Sequence, residues 1–309
     1  MRHDLARPRP GGPRRSFIRP RPVAFGIALI AAGLVPAVIA TAQRPDAPLR
    51  LEEVIADTDA AFRAVATIVA GPTESIVWDA QYKVSDGRRL AERIAATGTR
   101  LKAIVISHAD HDHYMGAMEV LKAFPGTPVY MAASTLLDFN ERSASDLAME
   151  RKRPNPDAPE TLPAPQLLPA TPLTVDGHRL EIIADLGGDV RKPVSTVLWI
   201  PSIRAALVAD LAFNGVHPWL GDSDMASRAA LRAALQRVAD LKPNTVVPGH
   251  KADAAAGNSP ELLAFMQTYL EDYERLMQES ATPEALATAM RQKYPQLRIA
   301  PLMAAGGRH

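Results

Sequence analysis

The stretch Ala103-Ile104-Val105-Ile106-Ser107-His108-Ala109-Asp110-His111-Asp112-His113-Tyr114 decides how this chain is read. An apolar β-type run ends in five ionisable side chains, His108, Asp110, His111, Asp112 and His113, interrupted only by Ala109. Tyr114-Met115-Gly116-Ala117-Met118 follows as the start of a helix. Imidazoles and carboxylates crowded at the carboxyl end of a strand cost desolvation energy unless something binds them. A divalent cation removes that cost, and the cluster is therefore read as metal chemistry. The chain has no cysteine, which excludes disulfides and thiolate ligands. Such a site must be built from His, Asp and Glu.

Working outward, short β-type runs at residues 67–70 and 75–79 flank Gly71-Pro72, a hairpin signal. Residues 87–99 read as a helix with Leu90, Ile94 and Ala95 on one face. The strand 103–106, a helix over 114–123 and a strand over 128–131 come next. Residues 151–172 are proline-rich, which excludes regular helix and central strand, so they form a long surface loop. Such a loop borders a binding site or acts as a spacer. A second β-rich section follows, with a strand at 180–184 and a hairpin of 195–200 with 205–210 around Pro201-Ser202. Helix 226–240 carries Leu231, Leu235 and Val238 at helical spacing, and the strand 245–247 runs into Pro248-Gly249-His250. Two helices close the chain, 261–277 and 282–293, the second opened by an N-cap Thr282 and Pro283. Strands alternating with helices predict a layered α/β fold.

The chain has 309 residues, 47% of them hydrophobic, enough for one or two domains with a sizeable core. Its first 42 residues read differently. Seven arginines from Arg2 to Arg21 face one acid, Asp4; an apolar run from Val23 to Ala40 follows, and Ala40-Thr41-Ala42 supplies a small-x-small cleavage pattern. That order is a secretory signal, and Arg14-Arg15-Ser16-Phe17 resembles a twin-arginine export motif. The alternatives are a leader for the ordinary route or a retained anchor. Without residues 1–42, the remaining 28 basic and 33 acidic side chains carry a charge of −5. A negative mature chain lacking a basic stripe argues against nucleic acid as partner. The expectation is a periplasmic or secreted protein with a small-molecule substrate and no membrane association after cleavage.

Several motifs in order resemble the metallo-β-lactamase-fold hydrolases. His108-Ala109-Asp110-His111-Asp112-His113 matches that family's His-x-His-x-Asp-His, with Asp110 standing at the second His. Leu207-Val208-Ala209-Asp210 and Val246-Val247-Pro248-Gly249-His250 match its later signatures, and Asp79 after Ile76-Val77-Trp78 matches a structural Asp. The likeness spans roughly residues 65–252. It implies a four-layer αββα sandwich over residues 43–258, with residues 259–309 as C-terminal helices packed on it. It also implies a metal-bound hydroxide attacking an ester, lactone, lactam, thioester or similar bond.

In the ligand set that the resemblance implies, His108, Asp110 and Asp189 hold a first ion. Asp112, His113 and His250 hold a second, and Asp210 bridges both. The family's middle His has no counterpart here. Asp189 falls at its place, Asp185 is the rival, and an unfilled position is the third reading. One or two divalent ions are implied, zinc first, with manganese or iron also suited to the carboxylate-rich donors. Asp112 also orients the attacking hydroxide. Tyr114 and His217 are candidate substrate contacts, each with a packing alternative, while His111 points away from the ligands. Two rivals stand beside this reading: a phosphodiesterase of the same fold, and a metal-poor relative that only binds. The charge of −5 weighs against polyanionic substrates.

Overall fold

A computed structural model describes residues 47–59, 62–153, 156–188 and 194–298. The expected leader over residues 1–42 and the candidate ligand Asp189 lie outside them. The first sheet is built from β1 (Arg50–Ile55), β2 (Val65–Ala70), β3 (Glu74–Trp78), β4 (Arg100–Ile106), β5 (Val129–Met131) and β6 (Gln166–Leu167), in that spatial order. The pairs β1–β2 and β2–β3 are antiparallel, and β3 to β6 run parallel. Parallel neighbours need crossovers, supplied by α1 (Val84–Ala96), α2 (His111–Tyr114), α3 (Ala117–Ala123) and α4 (Ala133–Glu150).

A hairpin of β7 (Thr174–Val175) and β8 (His178–Arg179) leads to the second sheet. That sheet is formed by β9 (Glu181–Leu186), β10 (Ser195–Ile200), β11 (Ala205–Asn214) and β12 (Thr245–Lys251), in the order β12-β11-β10-β9. Helix α5 (Met225–Asp240) joins its parallel pair β11–β12, and α6 (Glu261–Glu279) and α7 (Pro283–Lys293) follow.

Residue alternation explains the layering. In β4, Ala103 and Val105 point into the space between the sheets, where they meet Leu198, Leu207 and Val247. Ile104 and Ile106 face the other way, against Leu90 and Ile94 of α1 and Val120 of α3. The outer face of the second sheet packs Val208 and Val246 on Leu231, Leu235, Met266 and Leu270. Two sheets back to back with helices on both outer faces make the expected αββα sandwich. Each aliphatic or Met side chain so buried contributes roughly 1.5–3 kcal/mol. That exceeds what an isolated helix gains from propensity, so packing holds the helices in place.

The structure departs from the sequence reading in its helices and at its first strand. The expected helix 114–123 is two pieces, because the chain turns at Met115-Gly116. A Cβ on Gly116 would overlap the carbonyl oxygen of Ala80, so only glycine lets these two loops meet. Helix α4 and strand β1 have no counterpart in the sequence reading. Among its described residues the proline-rich segment holds the two-residue edge strand β6, in keeping with the expected loop, and Asp157 within it accepts from the backbone of Ser85 in the first turn of α1. That contact ties the segment to a helix end. No helix among the described residues is long and apolar enough to cross a membrane.

The tight Gly116 turn makes a stability prediction. Gly116→Ala must push the loop off Ala80 and should lower stability by about 1–3 kcal/mol, read as a fall of several degrees in the thermal midpoint. An unchanged midpoint would show that this contact is loose.

Candidate metal centre

Three elements deliver the cluster. The connection after β4 brings His108 from its loop and Asp112 and His113 from α2; β11 brings Asp210; β12 brings His250. The pairing of β11 with β12 shifts on either side of Ala209, which sits at φ 46°. That irregularity precedes Asp210, and a side chain on Gly249 would collide with the Asp210 carboxylate. Both features make room for Asp210 inside the sheet edge. Its Oδ1 lies 3.2 Å from His113 Nε2, and its Oδ2 lies 3.1 Å from His250 Nε2 and 3.7 Å from His108 Nε2. Asp112 Oδ2 is 3.8 Å from His113 Nε2 and 3.6 Å from His250 Nε2. Two compact donor groups result, His108–His113–Asp210 and Asp112–His113–His250, all buried.

Each imidazole is held from behind, which fixes its tautomer. His250 Nδ1 donates to the Phe62 carbonyl at 2.8 Å; a carbonyl only accepts, so in the neutral ring Nε2 is bare. Its ring also stacks on Phe213, with centroids 4.9 Å apart. His113 Nδ1 donates to Asp79 Oδ2 at 3.0 Å. The Ser107 hydroxyl donates to the same oxygen at 2.8 Å and accepts from His108 Nδ1 at 2.8 Å. Asp79 Oδ1 takes the Ser107 backbone N–H at 2.8 Å. Asp79 thus orients two rings at once. It does so from a left-handed conformation, φ 60°, which is costly for a non-glycine residue and recurs where geometry matters.

The bare ends converge. His108 Nε2, His113 Nε2 and Asp210 Oδ1 are buried with no hydrogen-bond partner in the protein. Donors bound to one tetrahedral zinc at about 2.0–2.2 Å stand about 3.3–3.6 Å apart, close to the 3.1–3.8 Å spacings across this cluster. The electrostatics agree with that fit. Burial alone would lower His113 and His250, yet Asp210 and Asp112 push both upward, His113 well above its ordinary value. Burial would raise Asp210, yet the three imidazoles around it hold it well below the carboxylate range. A centre that draws protons onto buried imidazoles has a field that favours cations. The donor set therefore suits a divalent ion.

The remaining sequence candidates fall as follows. Asp110 stands outside both compact groups; its Oδ2 lies 3.5 Å from His108 Nε2, and Arg142 holds its Oδ1. Asp185, the rival to Asp189, is exposed on β9 and joins neither group. His111 points away, as expected, with its ring edge-on to Tyr82 and Nε2 3.7 Å from Glu150. Tyr114 is fully buried, its ring edge-on to Phe139 and its hydroxyl without a hydrogen-bond partner. His217 is buried too, bonded through Nδ1 to the Tyr269 hydroxyl of α6 at 2.8 Å. Sequence reading missed Ser107, Phe62, Phe213 and Arg142. Only Ser107, adjacent to the motif, carried a local signal.

The fold agrees with comparison to known proteins. Residues 60–250 match the model of the Metallo-beta-lactamase superfamily. The chain belongs to that superfamily. No curated protein matches the sequence. Among solved structures it is similar to a metallo-beta-lactamase family protein from Thermus thermophilus, at 17% identity and TM-score 0.57, covering 78% of this chain and 87% of that one. A metallo-beta-lactamase from Pontibacter korlensis aligns at 20% identity and TM-score 0.52, covering 67% of this chain and 87% of that one. A stereoselective inverting sec-alkylsulfatase from Pseudomonas sp. aligns at 20% identity and TM-score 0.50, over 73% of this chain and 42% of that longer one. At such identities these likenesses establish the superfamily's fold.

The geometry can be tested at Asp79 and at His217. In Asp79→Asn one oxygen becomes an NH₂, which must face a donor at Ser107 or His113 and so misorients a ring. Zinc affinity should fall about 10–100-fold with the fold retained, measured by titration; an unchanged affinity would remove Asp79 from its orienting role. Burial, with Arg291 as a lesser cause, lowers His217 from 6.5 to about 4. The unfolded chain therefore takes this proton first, so the contribution is full above pH 6.5 and is lost as pH falls toward 4. His217→Gln should flatten the denaturant-measured stability between those values by on the order of 2 kcal/mol. A wild-type slope in the variant would contradict this.

Proposed function

We propose that this superfamily member is an exported metal-dependent hydrolase acting on a small-molecule ester, lactone, lactam, thioester or similar bond. The observation that carries the reading is the convergence of His108, His113 and His250 on Asp210 and Asp112, each ring fixed from behind. One or two divalent ions fit this donor set, zinc first, manganese or iron next. The two compact groups name the residues that would hold one ion or the other; His113 Nε2, common to both, can serve only one of them, and Asp210, next to all three imidazoles, has an oxygen for each. The resemblance adds Asp110 and Asp189 on the His108 side. A bound ion supplies a positive charge that polarises the scissile group and a water whose proton is lost near neutral pH.

The chain's own residues supply orientation and proton handling. Asp112, the least enclosed of the compact-group carboxylates at 7% exposure, stands at the edge of the cluster. From there it orients the attacking water and accepts its proton. Asp79 and Ser107 keep His113 and His108 in the tautomer that leaves Nε2 bare. The neighbours named metallo-beta-lactamase and sec-alkylsulfatase support hydrolytic chemistry on this scaffold, while the fold by itself does not choose the bond. The signal-like order of residues 1–42 supports export to the periplasm or beyond.

The test combines metal analysis with chromogenic substrates. The purified protein should carry zinc, manganese or iron and cleave an ester, lactone or cephalosporin probe faster than bis-p-nitrophenyl phosphate. His113→Ala should take up no stoichiometric metal and lose turnover by more than roughly a hundredfold. Faster phosphodiester cleavage would replace the bond class, and metal-free wild-type protein would overturn the enzyme.

A further inference from the structure

Arg142 enters the metal loop from α4, at a distance in sequence from every motif of the cluster. Its Nη2 donates to Asp110 Oδ1, its Nε donates to Asp138 Oδ2 at 3.0 Å, and Nη1 lies 3.9 Å from Asp146 Oδ2. The other oxygen of Asp110, Oδ2, is turned toward His108 Nε2 at 3.5 Å. The Asp110 carboxylate is therefore divided. One oxygen is spent on the guanidinium, and the other faces a buried nitrogen that has no hydrogen-bond partner. The 3.5 Å between Oδ2 and Nε2 is the spacing of two donors on one cation.

The division has a physical purpose. A carboxylate standing where an imidazole is usual is shorter, rotates more freely and adds a negative charge to a cluster that already holds Asp112 and Asp210. A guanidinium is planar and permanently charged, and its donors lie in a rigid fork. Anchored at Asp138, that fork reaches Asp110 with a second N–H in the same plane. It removes rotational freedom from Asp110 and offsets its charge. The side chain of Arg142 is three-quarters buried, so solvent screens the pair only partly.

We propose that Arg142 is a positioning residue for a cation held by His108 and Asp110: it pins Oδ1 so that Oδ2 serves as a single oriented donor. This rests on the metal-hydrolase reading above and extends it to a residue on a helix that carries no motif. The competing arrangement is that the guanidinium stands in for the cation and keeps that half of the cluster metal-free. The two arrangements predict opposite responses.

The test uses the full-length chain, stripped with a chelator and titrated with Zn²⁺ alone, with the Co²⁺ visible spectrum as a second readout. Arg142→Met should weaken, by about 10–100-fold, the same equivalent of zinc that Asp110→Asn weakens. The double variant should weaken it no further, because both changes break one link. Any other equivalent should keep its affinity, and the Co²⁺ spectrum should change only for the weakened one. Arg142→Lys should fall between, since an ammonium cannot hold Asp110 and Asp138 in one plane, and it carries the test if Arg142→Met fails to fold. A wild-type zinc titration in Arg142→Met and Arg142→Lys, or an added equivalent, overturns the proposal while leaving the hydrolase reading intact. A wild-type protein that takes up no zinc, manganese or iron overturns both.

Discussion

Asp210 is 3% exposed and stands against three imidazoles, two of which also face Asp112 at 3.6–3.8 Å, and this crowding of buried polar ends is what the architecture has to accommodate. Unpaired ends of this kind cost several kcal/mol each when removed from water. Nothing in hydrophobic packing returns that energy. The surrounding structure nevertheless commits specialised features to the arrangement: the left-handed Asp79, the irregular pairing at Ala209, and the bare glycine at 249 beside the Asp210 carboxylate. Strain and buried polarity gathered at one place are what a cation-binding centre requires and what a purely structural loop would avoid.

The sandwich supplies the rigidity. Strands β4, β11 and β12 are buried on both faces, so the backbone positions of Asp210 and His250, and the start of the His108 loop, are set by packing on both sides. Contacts behind the rings then set side-chain orientation, and they come from far away in sequence: Asp79 is 34 positions from His113, and Phe62 is 188 from His250. The rings are aimed by the fold as a whole rather than by the motif.

This separation explains how much the sequence disclosed. The strands and the amphipathic helices α1 and α5 were legible because alternation and helical spacing are local. The His108–His113 run was legible because ionisable residues at a strand end have few other uses. Helix α4 was not, since its buried face includes Thr135, Asp138, Ser143 and Glu150, and polar residues hide a hydrophobic stripe. Arg142 was hidden with it. Adjacency alone points Tyr114 toward substrate. The structure buries it completely, with its ring edge-on to Phe139. Asp110 shows the intermediate case: the motif names it, and only the long-range contact with Arg142 shows how its two oxygens are shared.

Anomalous X-ray scattering from crystals of the full chain grown with zinc addresses the central claim most directly. The account predicts a zinc peak within about 2.0–2.2 Å of His113 Nε2 and of an Asp210 oxygen, with any second ion bound through the other Asp210 oxygen. Zinc bound only elsewhere, or a cluster whose imidazoles pair with water and carboxylates alone at saturating metal, would contradict it.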